Sequence, residues 1–200
     1  MSSDAMAAPA PTPAYPVRFD AEYEEKHSRL LIFFRLILAI PHLLILYALN
    51  AVLSIITFIA FFAILFTKKY PRGLFDFAVN IHRWQANVGA YLFLVRDEYP
   101  PFGWEPGKYP VTFEVDYPEE LRRFAPLYKW LLAIPNIIVL YLVIIVAIIL
   151  YIVGWFAILF TGKLPRGIHD FLVGTARWSF RVGAYYAYFF TDAYPPFSLK

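Results

Sequence analysis

Two long apolar runs dominate the chain, Leu30 to Phe66 and Leu127 to Phe160, and each follows a short stretch of strictly alternating character. In YPVTFEVDY (109–117), Val111, Phe113, Val115 and Tyr117 face one way while Thr112, Glu114 and Asp116 face the other. A period of two predicts a half-buried strand. Tyr15–Tyr23 does likewise, with Val17, Phe19, Ala21 and Tyr23 set against Arg18, Asp20 and Glu22. Behind each run the period changes to that of a helix opened by Pro71 or Pro165. Asp76, Asn80, Arg83 and Asn87 make a polar stripe beside Phe77, Ile81, Trp84, Val88 and Tyr91. In the second copy Asp170, Gly174, Arg177 and Arg181 run beside Phe171, Thr175, Trp178, Val182 and Tyr185. This predicts an amphipathic helix with an aromatic, Arg-bearing border, as suits a headgroup interface.

The apolar runs admit two topologies. As straight helices they would be about 50–55 Å long at 1.5 Å per residue, against a hydrocarbon core near 30 Å. In the first topology each run is a hairpin turning near Asn50 and its counterpart Ile144. Lys26, Arg29, Lys68, Lys69 and Arg72 then share one side with Arg122, Arg123, Lys163 and Arg166, which the positive-inside bias favours. In the second, an interfacial helix precedes Pro41 or Pro135 and one kinked span follows, so that the amphipathic segment must cross back. The run IIVAIIL (144–150) has no turn former and counts against the hairpin, which remains the preferred reading. Both give four crossings, cytoplasmic termini and parallel repeats.

The chain is one unit written twice. Moving Tyr15 onto Tyr109 places YPVRF on YPVTF and LAIP at 38 on LAIP at 132. AILFT, PRG, Arg-Trp and VGAY follow in register, and both copies close with Tyr-Pro-Pro-Phe, at 99–102 and 194–197. Composition bias would not keep register so long, so this is a tandem duplication, with two halves expected about a pseudo-twofold axis. The organisation reads as a disordered Ala/Pro tail (1–14), a first membrane repeat (15–102), a linker (103–108) and a second repeat (109–197). The predicted fold class is mainly α and integral to a membrane. Its unit is a short strand, an apolar helical hairpin or kinked span, and an amphipathic helix. The two strands are expected to pair as a small cap.

Composition points the same way. Apolar residues make up 60% of the chain and charged residues 16%, with mean hydropathy +0.54. Soluble domains average about 45–50% and 25%. The net charge of +3 does not indicate nucleic acid, because the basic residues flank apolar runs instead of forming a patch. Without cysteine there is no disulfide, thiolate metal site or cysteine nucleophile. The first residues have neither the basic nor the apolar region of a signal peptide.

The string LAIP, FAILFTGKLPRG, ARW, RVGAY and YPPF resembles an uncharacterised prokaryotic membrane family, catalogued as a domain of unknown function of the 4389 type. The resemblance covers both copies and implies a prokaryotic membrane protein, without supplying an activity. The first copy departs from it at Lys68, where the second has Gly162.

Candidate chemistry is sparse. HExxH, GxSxG, Walker and dinucleotide motifs do not occur, and His27, His42, His82 and His169 form no familiar metal motif. No catalytic residue, cofactor or metal is expected. Arg72–Asp76 and Arg166–Asp170 are spaced as local ion pairs. With Lys69, Arg83, Trp84, Lys163, Arg177, Trp178 and Arg181 they are also the candidate contacts to lipid phosphate or a partner's carboxylates. Arg35 and Lys129 read as snorkelling residues, and Trp84, Trp178 and the YPPF segments as interfacial anchors. The expected role is a non-enzymatic scaffold or accessory subunit of the prokaryotic plasma membrane. Its expected partners are membrane lipids, anionic ones foremost, with subunits of a larger complex or further copies of itself as candidates. The rival reading is a small transporter or channel subunit. The walls offer it only Asn50, Ser54 and Thr57, which Ile144, Ile148 and Tyr151 replace in the second copy.

Overall fold

In a computed structural model, which describes residues 15–200, each apolar wall is one unbroken helix. The stretch expected as a disordered tail, 1–14, lies outside the described residues. In chain order the elements are β1 (Val17–Ala21), α1 (Leu31–Thr67), α2 (Arg72–Leu92), β2 (Val111–Val115), α3 (Ala125–Thr161) and α4 (Arg166–Tyr186). The hairpin is thereby corrected. Asn50 and Ile144 stand inside helices of 37 residues each, and nothing there favours a turn. Asn50 donates its side-chain amide to the Leu46 carbonyl one turn back, at 2.9 Å, so the helix satisfies it internally. No separate interfacial helix precedes Pro41 or Pro135 either, since both prolines lie within the continuous helices.

Both long helices are apolar over a length that could cross a membrane. Each ends at a residue in the left-handed region, Lys68 (φ 60°) and Gly162 (φ 72°), whose N–H returns to Ile64 or Ile158. That is the usual helix stop, and Gly adopts it without strain. Pro71 and Pro165 stand at the N-caps of α2 and α4, in extended geometry, so the chain reverses within a few residues.

β1 and β2 pair antiparallel in the register Val17↔Val115, Phe19↔Phe113, Ala21↔Val111, as the alternation and the expected pairing require. Each strand packs on the other repeat's helix, β1 on α4 and β2 on α2. Arg177 Nε donates to the Phe19 carbonyl at 2.8 Å and Arg83 Nε to that of Phe113 at 3.2 Å. Tyr23 Oη reaches the Leu164 carbonyl and Tyr117 Oη that of Tyr70. His27 N–H donates to Gly162 and Leu121 N–H to Lys68. The halves are thus joined by an exchange of their N-terminal strands.

The exchange also fixes direction. Lys68 at the end of α1 lies beside Leu121, just before α3, and Gly162 at the end of α3 lies beside His27, just before α1. The two long helices therefore run antiparallel. Three layers result. The sheet covers α2 and α4, which in turn pack on α1 and α3. The outer face of the sheet carries Arg18, Asp20, Glu114 and Asp116, all exposed, with Arg18 paired to Asp116 at 2.7 Å and Glu114 at 3.3 Å. On the opposite side α1 buries one narrow stripe, from Ile32 and Arg35 to Ala60 and Ile64. The rest of it, including Leu36, Leu44, Ile55 and Phe58, is open. The large core spans both repeats, from Phe19 and Phe113 through Phe75 and Ile81 to Val173 and Phe190.

Candidate functional site

Between α2 and α4 the two repeats leave a cavity of about 750 Å³. Small residues make it: Ala86, Gly89 and Ala90 on α2, and Ala176, Gly183 and Ala184 on α4. Phe19, Phe113 and Phe180 close it on the sheet side, and Ile144, Ala147, Ile148 and Tyr151 of α3 form its flank. Phe93 and Ile148, both more than half exposed, mark its mouth on the apolar side of the molecule. Among the described residues, no Asp, Glu, Lys or Arg lines it. A site of this size, apolar with a few polar groups, suits a small apolar ligand.

His82 is the distinctive polar group. It is 3% exposed and stands among the rings of Phe113, Tyr188 and Phe190. Its Nδ1 lies 2.8 Å from the Ala78 carbonyl, so Nδ1 carries the proton and donates there. Nε2 is left as an acceptor with no partner among the described residues. Burial pulls the imidazole down to about 4, the Ala78 bond opposing, so the ring is neutral near pH 7. Thr175 and Ser179 also line the cavity, and their hydroxyls donate to the carbonyls of Phe171 and Thr175 at 2.8 Å each. Those oxygens too are left with lone pairs only.

Other sequence candidates fall elsewhere. Arg35 and Lys129 do not snorkel; both are 2% exposed. Arg35 donates to the Tyr91 and Arg96 carbonyls and to Asp97, and Lys129 to the Thr191 carbonyl and Asp192 at 2.7 Å. These partners lie at or just beyond the C-terminal ends of the amphipathic helices, so a buried cation is paired instead of being driven to the surface. Trp84 and Trp178 are interior residues, not interfacial anchors. Their indole N–H groups donate to His42 Nδ1 and Asn136 Oδ1, at 3.1 and 2.9 Å. The YPPF segments fold onto the same turns. Phe102 stacks on His42 with centroids 4.0 Å apart, and Asn136 donates to the Pro195 carbonyl. His42 and Asn136 are unlike residues that accept the same bond.

Arg83, Arg177 and Arg181 serve the protein's own backbone: the first two hold the strands, and Arg181 donates to the Lys200 carbonyl. Lys69, Arg72, Asp76, Lys163, Arg166 and Asp170 remain exposed. Arg72–Asp76 and Arg166–Asp170 form the i,i+4 pairs, at 3.2 and 4.0 Å. The two PRG turns lie at opposite ends of the strand pair, Arg72 over the Tyr117 ring and Arg166 over the Tyr23 ring. The cavity was missed in the sequence. Its signal is the cluster of Ala and Gly on both amphipathic helices, which alone reads as close helix packing.

Residues 29–103 and 123–198 each match the family described as Domain of unknown function (DUF4389). The chain belongs to this family. It carries two tandem copies, and the exchanged strands, β1 and β2, lie just ahead of each matched segment. No curated protein and no solved structure matches the chain.

Proposed function

We propose that the protein is a non-enzymatic scaffold or accessory protein of a prokaryotic plasma membrane, and that it lies flat in one leaflet instead of crossing the bilayer. The observation that carries this is the placement of the charged sheet face and the apolar helices on opposite sides of the α2/α4 layer. β2 runs along α2, Tyr117 beside Tyr70, Phe113 beside Arg83 and Tyr109 bonded to Glu98, so the sheet lies alongside the helices and not beyond their ends. Upright, antiparallel α1 and α3 would put the twofold axis at mid-bilayer. Arg18, Asp20, Glu114 and Asp116 would then face hydrocarbon, where each charge costs at least about 2.5–3.5 kcal/mol. Flat, the same groups face water.

Length supports the flat placement. Each long helix has 37 residues and so runs about 55 Å. Fitting that into a core of about 30 Å by tilt alone needs roughly 57°, beyond the usual 0–40°. A helix about 10–12 Å wide fits within one leaflet's share of the core, about 15 Å. Two such helices side by side would expand one leaflet only, and their exposed sides offer apolar surface to a second membrane protein.

Single cysteines at Arg18, Lys68 and Lys163 test this in a chain that has none. A membrane-impermeant thiol reagent should label all three from the same side. If Lys68 and Lys163 are labelled from opposite sides, the long helices cross the membrane and the flat placement is wrong. The scaffold role is tested by mild-detergent purification from the native membrane with mass spectrometry. Stoichiometric membrane-protein partners or a defined self-assembly are expected; a monomer carrying lipid alone would remove that role.

A further inference from the structure

We propose that the cavity between α2 and α4 holds one neutral, single-chain lipid alcohol, whose hydroxyl donates to His82 Nε2 while its chain lies along the Ala- and Gly-lined walls. The polar inventory selects the head. His82 Nε2, Thr175 Oγ1 and Ser179 Oγ present lone pairs, and their protons are committed elsewhere. Gln85, beside them, gives one amide N–H to Asn50 Oδ1, and the hydroxyls of Tyr151, Tyr186 and Tyr188 also line the cavity. His82 Nε2 nonetheless has no donor among the described residues, so the guest brings the one it takes. With no Lys or Arg among the described lining residues a carboxylate or phosphate would be buried unpaired, and with no Asp or Glu among them so would an ammonium. A hydroxyl is the simplest uncharged donor that meets these conditions.

The walls select the tail. The volume of about 750 Å³ lies inside the ordinary range for small-molecule sites, about 300–1,000 Å³. The mouth at Phe93 and Ile148 opens on the side that presents bare apolar helix, so a lipid enters without passing through water. The site is single despite the duplication. Where α2 has His82 and Ala86, α4 has Ala176 and Phe180, and where α3 has Ala147, α1 has Leu53. One acceptor at one end gives the guest one orientation. This proposal uses the flat placement only for the route of entry. Binding is read below without reference to sidedness, so the two readings fail separately.

The test uses the full chain in phosphatidylcholine nanodiscs and a long-chain alcohol with a mid-chain diazirine, crosslinked by light and mapped by mass spectrometry. Crosslinks should fall on cavity residues such as Phe93, Tyr151 and Tyr188. Excess oleyl alcohol should displace them, whereas its methyl ether, which lacks the donor, should need about tenfold more. His82→Phe should abolish that preference. Gly89→Phe should lower cavity crosslinking at least tenfold by filling the space, since an added Cβ at Gly89 meets nothing within 4 Å. Gly89→Leu replaces it if the larger residue unfolds the chain, as near-UV circular dichroism would reveal. Crosslinks confined to the outer faces of α1 and α3, equal displacement by alcohol and ether, or better displacement by oleate would each overturn the proposal.

Discussion

Phe19 pairs with Phe113, its own equivalent in the other repeat, so the pseudo-twofold axis passes between these two residues. Every other pair is then fixed by symmetry, and Arg18 must face Glu114. Phe180 packs against both rings, at 5.0 and 4.8 Å, and locks the register from below. The register matters because a slip of one residue would turn the apolar side of the slipped strand to water.

Cysteines at Arg18 and Glu114 should accordingly form a disulfide within one chain under mild oxidation. Both sites are exposed, so the substitutions disturb little. Arg18→Cys combined with Thr112→Cys, two positions out of register, should oxidise far more slowly. Mobility on a non-reducing gel and peptide mapping measure the difference. Equal rates for the two pairs would mean that the strands do not hold this register.

The tyrosine of each YPPF segment reaches the turn that a proline weakens. Pro41 has no amide for the Ile37 carbonyl and its ring crowds that turn. Tyr99 Oη donates to the neighbouring Leu38 carbonyl at 3.0 Å, and Tyr194 Oη does the same for Leu132 at 3.2 Å. Tyr99→Phe and Tyr194→Phe should each destabilise the protein by about 1 kcal/mol, the net value of such a bond. The sites lie in different repeats, so the double variant should lose about the sum. Denaturant unfolding in detergent measures both, and no loss in either variant would show the turns to be satisfied without the tyrosines.

The caps of the long helices give a pair of opposite effects. Gly162 holds φ 72° and Lys68 holds φ 60°, the one with glycine's freedom and the other without. Gly162→Ala should cost about 1 kcal/mol, because a Cβ there meets only ordinary contacts and the penalty is conformational. Lys68→Gly should stabilise by less than that, since it also loses the exposed pair with Glu120, worth about 0–1 kcal/mol. Unfolding midpoints that shift in the same direction would refute the cap argument.

The strands and the duplication were legible because alternation and register are local properties of the chain. The shape of the walls was not. A run apolar on every side has no period to report which face is buried, and a 37-residue helix and a hairpin present the same residues. Arg35 and Trp84 were misread for a related reason: their partners, Asp97 and His42, lie 62 and 42 residues away. The exchange of strands was hidden by the duplication itself. When both halves carry nearly the same surfaces, β1 fits α2 about as well as α4 on paper, and only the three-dimensional path selects one. The cavity is invisible for the opposite reason, being defined by atoms that Ala86, Gly89 and Gly183 do not have.

His82 gives the stability of the protein a pH dependence whose sign follows from its burial. The imidazole is pulled from 6.5 to about 4 in the folded chain, because the apolar surroundings disfavour its charged form. Its neighbours supply no compensating charge: they are the rings of Phe113, Tyr188 and Phe190, and burial raises the Tyr188 phenol so that it stays protonated throughout. Between pH 6.5 and about 4 the unfolded chain therefore binds a proton at this residue that the folded chain does not. Stability from this group is fully present above pH 6.5 and is lost as the pH falls towards 4, by at most roughly 3 kcal/mol. Other groups titrate in the same range, so the useful quantity is the difference between the parent chain and His82→Phe. That difference should grow in favour of His82→Phe by more than tenfold in unfolding equilibrium constant between pH 7 and 4.5, in denaturant titrations in detergent. A difference that stays flat across this range would mean that His82 titrates as an exposed imidazole does, and that the cavity is open to water at that wall.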